Sequence, residues 1–111
     1  MPLLTVSTSI EIKDKISFLK DCSHLVSKLT NKPEKYVMVR LFDQIPMYFD
    51  GNQSQSCFID LKSIGSLNPS LISKEISNFI SNQIGIPISR IYVFFEDIDA
   101  TNWAWNGKTF G

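Results

Sequence analysis

Residues 58–95 read FIDLKSIGSLNPSLISKEISNFISNQIGIPISRIYVFF. Residues 58–64 read as a strand. Asn68-Pro69 then supplies a cap and a proline at the first helical position, where a missing N–H costs nothing. Ile72, Ile76, Phe79, Ile80 and Ile84 recur at helical spacing and make one apolar stripe. Gly85 and Pro87 end the helix. Residues 91–95, Ile-Tyr-Val-Phe-Phe, are β-branched and aromatic and form the most strand-like segment of the chain. The stretch is thus a β-α-β unit.

Upstream, the same order recurs. Residues 3–8 (Leu-Leu-Thr-Val-Ser-Thr) carry a strand signal, Asp14 is placed to cap a helix, and Phe18, Cys22, Leu25 and Leu29 form its buried stripe, widened by Leu19 and Val26. That helix stops near Asn31 and Pro33, and residues 36–42 read as a second strand. Adding 54 carries Ser9-Ile10 onto Ser63-Ile64, Pro33 onto Pro87 and Asp43 onto Asp97, and takes Cys22, Leu25 and Val26 to Ile76, Phe79 and Ile80. The expected fold is α+β: a tandem β-α-β repeat forming a four-stranded mixed sheet with two helices on one face, because right-handed crossovers put both helices on the same side. The expected organisation is one domain over residues 1–111, with pseudo-repeats at about 2–43 and 56–97 and a tail at 98–111. The other sheet face would be left uncovered while still carrying apolar residues, which points to a symmetric homo-oligomer.

Composition narrows the function classes. The chain has 111 residues, 43% of them hydrophobic, with eleven basic residues balancing eleven acidic ones. A balanced charge without a basic cluster argues against a nucleic-acid module or attraction to an anionic membrane surface. No window approaches the roughly 18 apolar residues of a membrane span, and the N-terminus lacks the pattern of a secretion signal, so a cytoplasmic protein is expected. Without such a signal, the sequon Asn52-Gln53-Ser54 carries no weight. Two cysteines, Cys22 and Cys57, make no disulfide framework and read as buried, reduced thiols. His24 is the single histidine, which disfavours a Ser-His-Asp triad or a multi-histidine metal site.

Five segments in order resemble the macrophage migration inhibitory factor and D-dopachrome tautomerase family. They are Met1-Pro2-Leu3-Leu4-Thr5-Val6-Ser7-Thr8, Asn31-Lys32-Pro33 followed by Tyr36-Val37, Leu61-Lys62-Ser63-Ile64-Gly65, Arg90-Ile91-Tyr92-Val93, and Trp105-Asn106-Gly107-Lys108-Thr109-Phe110. The resemblance spans essentially the whole chain. It implies a homotrimer with sites at subunit interfaces, no cofactor or metal, and an isomerase of the phenylpyruvate/dopachrome type. The implied reaction is a keto–enol proton shift in a phenylpyruvate-like aromatic α-keto acid.

The catalytic residue implied is Pro2. A proline inside a chain is an amide without basicity, whereas removal of Met1 would leave a secondary amine. An α-amino group ordinarily titrates at roughly 7.7–8.0, and apolar surroundings lower that value, so a free base would exist near neutrality. The family pattern places Leu3, Ile64, Trp105 and Phe110 near this nitrogen. Lys32 matches the position that pairs with the substrate carboxylate, and the backbone N–H of Ile64 matches a donor to substrate. Ser63 resembles a site-lining position. Tyr92 matches a tyrosine from the neighbouring subunit, and Tyr36 and Phe110 an aromatic wall. Plainer roles stand beside these: Pro2 as a rigid strand opener, Lys32 as a solvated charge at a helix end, and Tyr36 and Tyr92 as packed strand residues.

Three departures from the family pattern change the expected pocket. Phe94 stands where a substrate-facing asparagine is expected and Trp103 where a valine is, which makes the pocket more aromatic. Lys62 replaces a histidine and is expected to add positive charge at the mouth, favouring anionic substrates. Cys57 has no partner cysteine three residues away, so no thiol oxidoreductase function is expected. The competing function is a cytokine-like or regulatory interaction protein that keeps the fold without using the chemistry.

Overall fold

The computed structural model describes residues 1–65 and 67–111. Four strands, β1 (Leu3–Thr8), β2 (Met38–Phe42), β3 (Cys57–Ser63) and β4 (Ile91–Asp97), form one sheet in the order β2-β1-β3-β4. The outer pairs are parallel and the central β1–β3 pair is antiparallel. Helix α1 (Lys15–Thr30) connects β1 to β2, and α2 (Pro69–Ile84) connects β3 to β4. The fold is therefore the expected α+β tandem β-α-β sheet. The helix bounds themselves differ by 54 residues at both ends, as do their left-handed C-terminal residues, Asn31 and Gly85.

Local chemistry accounts for these boundaries. Asp14 caps α1 by accepting the Ser17 N–H at 3.1 Å. Pro69 opens α2, although the Asn68 side chain makes no capping bond and accepts the Ser70 hydroxyl instead. After each helix a proline, Pro33 or Pro87, leads into a 3-10 turn, Glu34–Tyr36 or Ile88–Arg90. The strand expected at 36–42 consequently begins at Met38. Tyr36 donates its N–H to the Pro33 carbonyl, and Val37 its own to Glu34, so those residues are held in a turn. The strand expected at 58–64 runs from Cys57 to Ser63, leaving Ile64 in the bend that leads to Gly65.

The period of two along each strand divides the sheet into two unlike faces. Leu4, Val6, Ile59 and Leu61 are fully buried under Phe18, Cys22, Val26, Ile72, Ile76 and Ile80 of the helices. Each such apolar side chain contributes about 1.5–3 kcal/mol. The opposite face carries cross-strand rows in register: Met38, Leu3, Lys62 and Glu96; Arg40, Thr5, Asp60 and Phe94; Phe42, Ser7, Phe58 and Tyr92. Among the described residues no helix covers it, and Met38, Phe42, Tyr92 and Phe94 are exposed there. Among the described residues no helix is long and apolar enough to cross a membrane.

The tail folds back as a hairpin, β5 (Ala104–Trp105) and β6 (Lys108–Thr109), around Asn106-Gly107. Both turn residues have positive φ, 53° and 79°, the geometry that favours Asn-Gly in a two-residue hairpin. Phe110 then donates its N–H to the Trp103 carbonyl at 3.0 Å, bringing the last aromatics back towards the start of the sheet.

Candidate active site

Pro2 precedes β1 and is fully buried. Its carbonyl accepts the Met38 N–H at 3.0 Å, which joins the N-terminal segment to the start of β2. The Pro33 turn, the same end of the sheet and the C-terminal hairpin converge here. They enclose a cavity of about 480 Å³ lined by Met1, Pro2, Leu3, Lys35, Tyr36, Val37, Met38, Lys62, Ile98, Asn102, Trp103, Ala104, Trp105 and Phe110. A volume of that size suits a small organic ligand.

Aromatic packing shapes one wall. The Tyr36 ring meets Trp105 edge to face with centroids 5.9 Å apart, and Phe110 likewise at 6.4 Å. Such edge contacts align the positive ring edge with the negative ring face, which fixes orientation as well as burying area. The wall depends on the hairpin, which supplies Trp105 and leads into Phe110.

Electrostatics at this end work against a protonated N-terminus. Burial first, and the Lys32 ammonium second, hold the Met1 amino group below its ordinary pKa. Both effects penalise the charged form. The Pro2 nitrogen itself is an amide in the Met1–Pro2 peptide bond.

Of the sequence-predicted positions, Pro2, Leu3, Tyr36, Trp103, Trp105 and Phe110 share the cavity lining, whereas Lys32, Ser63, Ile64, Tyr92 and Phe94 lie outside it. Ser63 ends β3 fully buried, with its Oγ lacking a hydrogen-bond partner among the described residues. Tyr92 and Phe94 stand on the uncovered sheet face, Tyr92 packing on Phe49 at 4.7 Å and Phe94 stacking on Phe58 at 6.4 Å. Lys62 does line the cavity, but its charge is not free: Nζ lies 2.6 Å from Asp60 Oδ2 and 3.9 Å from Glu96 Oε1. The expectation of added positive charge from Lys62 is corrected by those two carboxylates, one on its own strand and one across the β3–β4 pair. Sequence reasoning passed over Lys35, Met38 and Asn102.

Fold and cavity together define a small α+β protein with a ligand-sized, aromatic-walled cavity built around its own N-terminal segment. The chain belongs to the macrophage migration inhibitory factor family, whose family model matches residues 1–111. It is 35% identical to a macrophage migration inhibitory factor homolog from Brugia malayi, covering 100% of both chains. The solved structure of a homologue from Prochlorococcus marinus superposes with a TM-score of 0.93 at 40% identity, covering 98% of this chain and 99% of that one. The Trichinella spiralis protein gives 0.91 at 31% identity, covering 97% and 99%.

Proposed function

We propose that the chain is a keto–enol tautomerase acting on phenylpyruvate-like aromatic α-keto acids, with Pro2 as acid and base once Met1 is removed. The observation that carries this reading is the burial of Pro2 against an aromatic-walled cavity, beside a Met1 amino group that burial and Lys32 hold below its ordinary pKa.

In the proposed reaction the unprotonated Pro2 nitrogen takes a proton from the carbon beside the substrate carbonyl, and the electron pair moves onto the carbonyl oxygen as an enolate. The same nitrogen then returns the proton to that oxygen, giving the enol; ketonisation runs the steps in reverse. Lys32 and the Ile64 N–H are assigned to the substrate's carboxylate and oxygen, where cations and donors stabilise developing negative charge. The aromatic rings take the substrate ring, with Leu3 beside the nitrogen, and Ser63 is placed in the surrounding lining.

The proposed assembly is a homotrimer in which the uncovered sheet face is buried. Tyr92 and Phe94 would then enter a neighbouring subunit's site from that face. The exposure of Met38, Phe42, Tyr92 and Phe94 on that face supports such an assembly, which would remove them from water. The proposed location is the cytoplasm.

A second reading, a cytokine-like interaction protein, is supported by the names its relatives carry. Intact-mass measurement coupled to a phenylpyruvate ketonisation assay separates the two. Processed protein that turns over substrate well beyond its Pro2→Gly variant supports catalysis, and processed protein indistinguishable from that variant removes it.

A further inference from the structure

Two lysines line the cavity, and their electrostatic states differ. Lys62 is held by Asp60 and Glu96, and only 30% of its side chain is exposed. Lys35 is exposed, and among the described residues it makes no ion pair. The nearest acid in sequence, Glu34, turns away, its Oε1 lying 3.0 Å from His24 Nδ1. Lys35 Nζ instead sits 5.0 Å from the Tyr36 ring centroid. An ammonium over a ring face is attracted by the ring quadrupole, which keeps the charge beside the aromatic wall without neutralising it.

We propose that Lys35 is a second cation, at the cavity mouth, which draws in an aromatic carboxylate ahead of its pairing with Lys32, and that Lys35 rather than Lys62 is the cavity-lining lysine that favours anionic over neutral ligands. The proposal rests on the tautomerase reading only for the identity of the ligand class. The geometry behind it is an ammonium without an ion-pair partner among the described residues, held over the Tyr36 ring, with both residues lining the cavity. A free cation in this position attracts an anion over roughly a Debye length, about 8–10 Å at ordinary salt, and the attraction weakens as salt rises. A lysine already shared between two carboxylates has little field left to offer.

The test measures binding of cinnamate, an unreactive aromatic carboxylate, and of its neutral methyl ester by calorimetry at low and high salt, using the processed full chain. Lys35→Gln is expected to weaken cinnamate about two- to fivefold, the range of one exposed charge pair, and to reduce its salt dependence, with Lys32 supplying what is left, while leaving the ester unchanged. Lys35→Arg should retain the preference, and Lys28→Gln, at an exposed site on α1, should behave as wild type. Equal losses for acid and ester, or a Lys62→Gln variant that loses the preference while Lys35→Gln keeps it, would overturn the proposal. A wild type that binds neither compound would overturn it as well. Selective cinnamate binding without phenylpyruvate turnover would keep the Lys35 assignment and remove the catalytic reading.

Discussion

The Met38 N–H donates to the Pro2 carbonyl oxygen across 3.0 Å, so the second residue of the chain is fastened to the first residue of β2, two positions beyond Tyr36. That bond fixes where an amine at Pro2 would lie relative to the aromatic wall. Blocking the amine should therefore abolish chemistry without disturbing the fold. A chain that keeps Met1 is expected to lose about 10²–10⁴-fold in kcat/KM for phenylpyruvate, the usual contribution of a positioned acid or base. Its Tm should match that of the processed chain, which mass spectrometry and thermal unfolding on paired samples will check.

Asp43 gives the fold an acid-sensitive joint. The Ile12 N–H, donating to Oδ2 at 3.0 Å, is the main reason its carboxyl titrates below the ordinary range. Burial opposes that shift, and Lys15 at 3.2 Å assists it. A carboxylate with a depressed folded-state pKa contributes stability above its unfolded value, and that contribution is lost as pH falls through the folded value. Asp43→Asn should therefore be less stable than wild type at pH 6–7, and the gap should close as pH drops below the ordinary carboxylate range. Urea unfolding across that range tests it.

Both thiols should be inert in the folded protein. Burial pushes Cys22 and Cys57 up to about 12, so very little thiolate exists at neutral pH. Ellman's reagent is expected to react with neither cysteine in the native chain over minutes and with both in denaturant. Rapid native labelling of either would contradict their assignment as core residues.

The Asn106-Gly107 turn carries the aromatic wall, and Gly107 has φ of 79° with open space around its missing Cβ. A side chain there meets no neighbour but must adopt a left-handed conformation costing about 1–2 kcal/mol. Gly107→Ala is expected to loosen the hairpin that brings Trp105 to Tyr36. KM for phenylpyruvate should rise more than kcat falls, with little change in the far-UV spectrum.

Much of the architecture was legible because its signals are local. Asp14, Pro69, Gly85 and the apolar stripes each act within a turn of helix, and the 54-residue offset tied the two halves together. What escaped depended on neighbours remote in sequence or on turn chemistry. The ion pairing of Lys62 requires knowing that Asp60 shares its face and that Glu96 sits opposite in register across β3–β4. The 3-10 turn at Tyr36 follows from the proline before it, a signal weaker than the β-rich run that it interrupts. Asn106-Gly107 is a strong hairpin signal, but only two residues on each side pair, too few to stand out as strands. For the site, the aromatic wall on this chain was foreseeable from the resemblance, whereas Lys35 became visible only once its exposed charge was placed on the cavity.

The central claim concerns one nitrogen, and its titration tests that claim most directly. In the processed chain carrying ¹⁵N-proline, the Pro2 amine shift followed by NMR across pH should give a pKa below the roughly 7.7–8.0 of an ordinary α-amino group. The acid limb of kcat/KM should follow the same value. A Pro2 amine that titrates within or above that range would contradict the account.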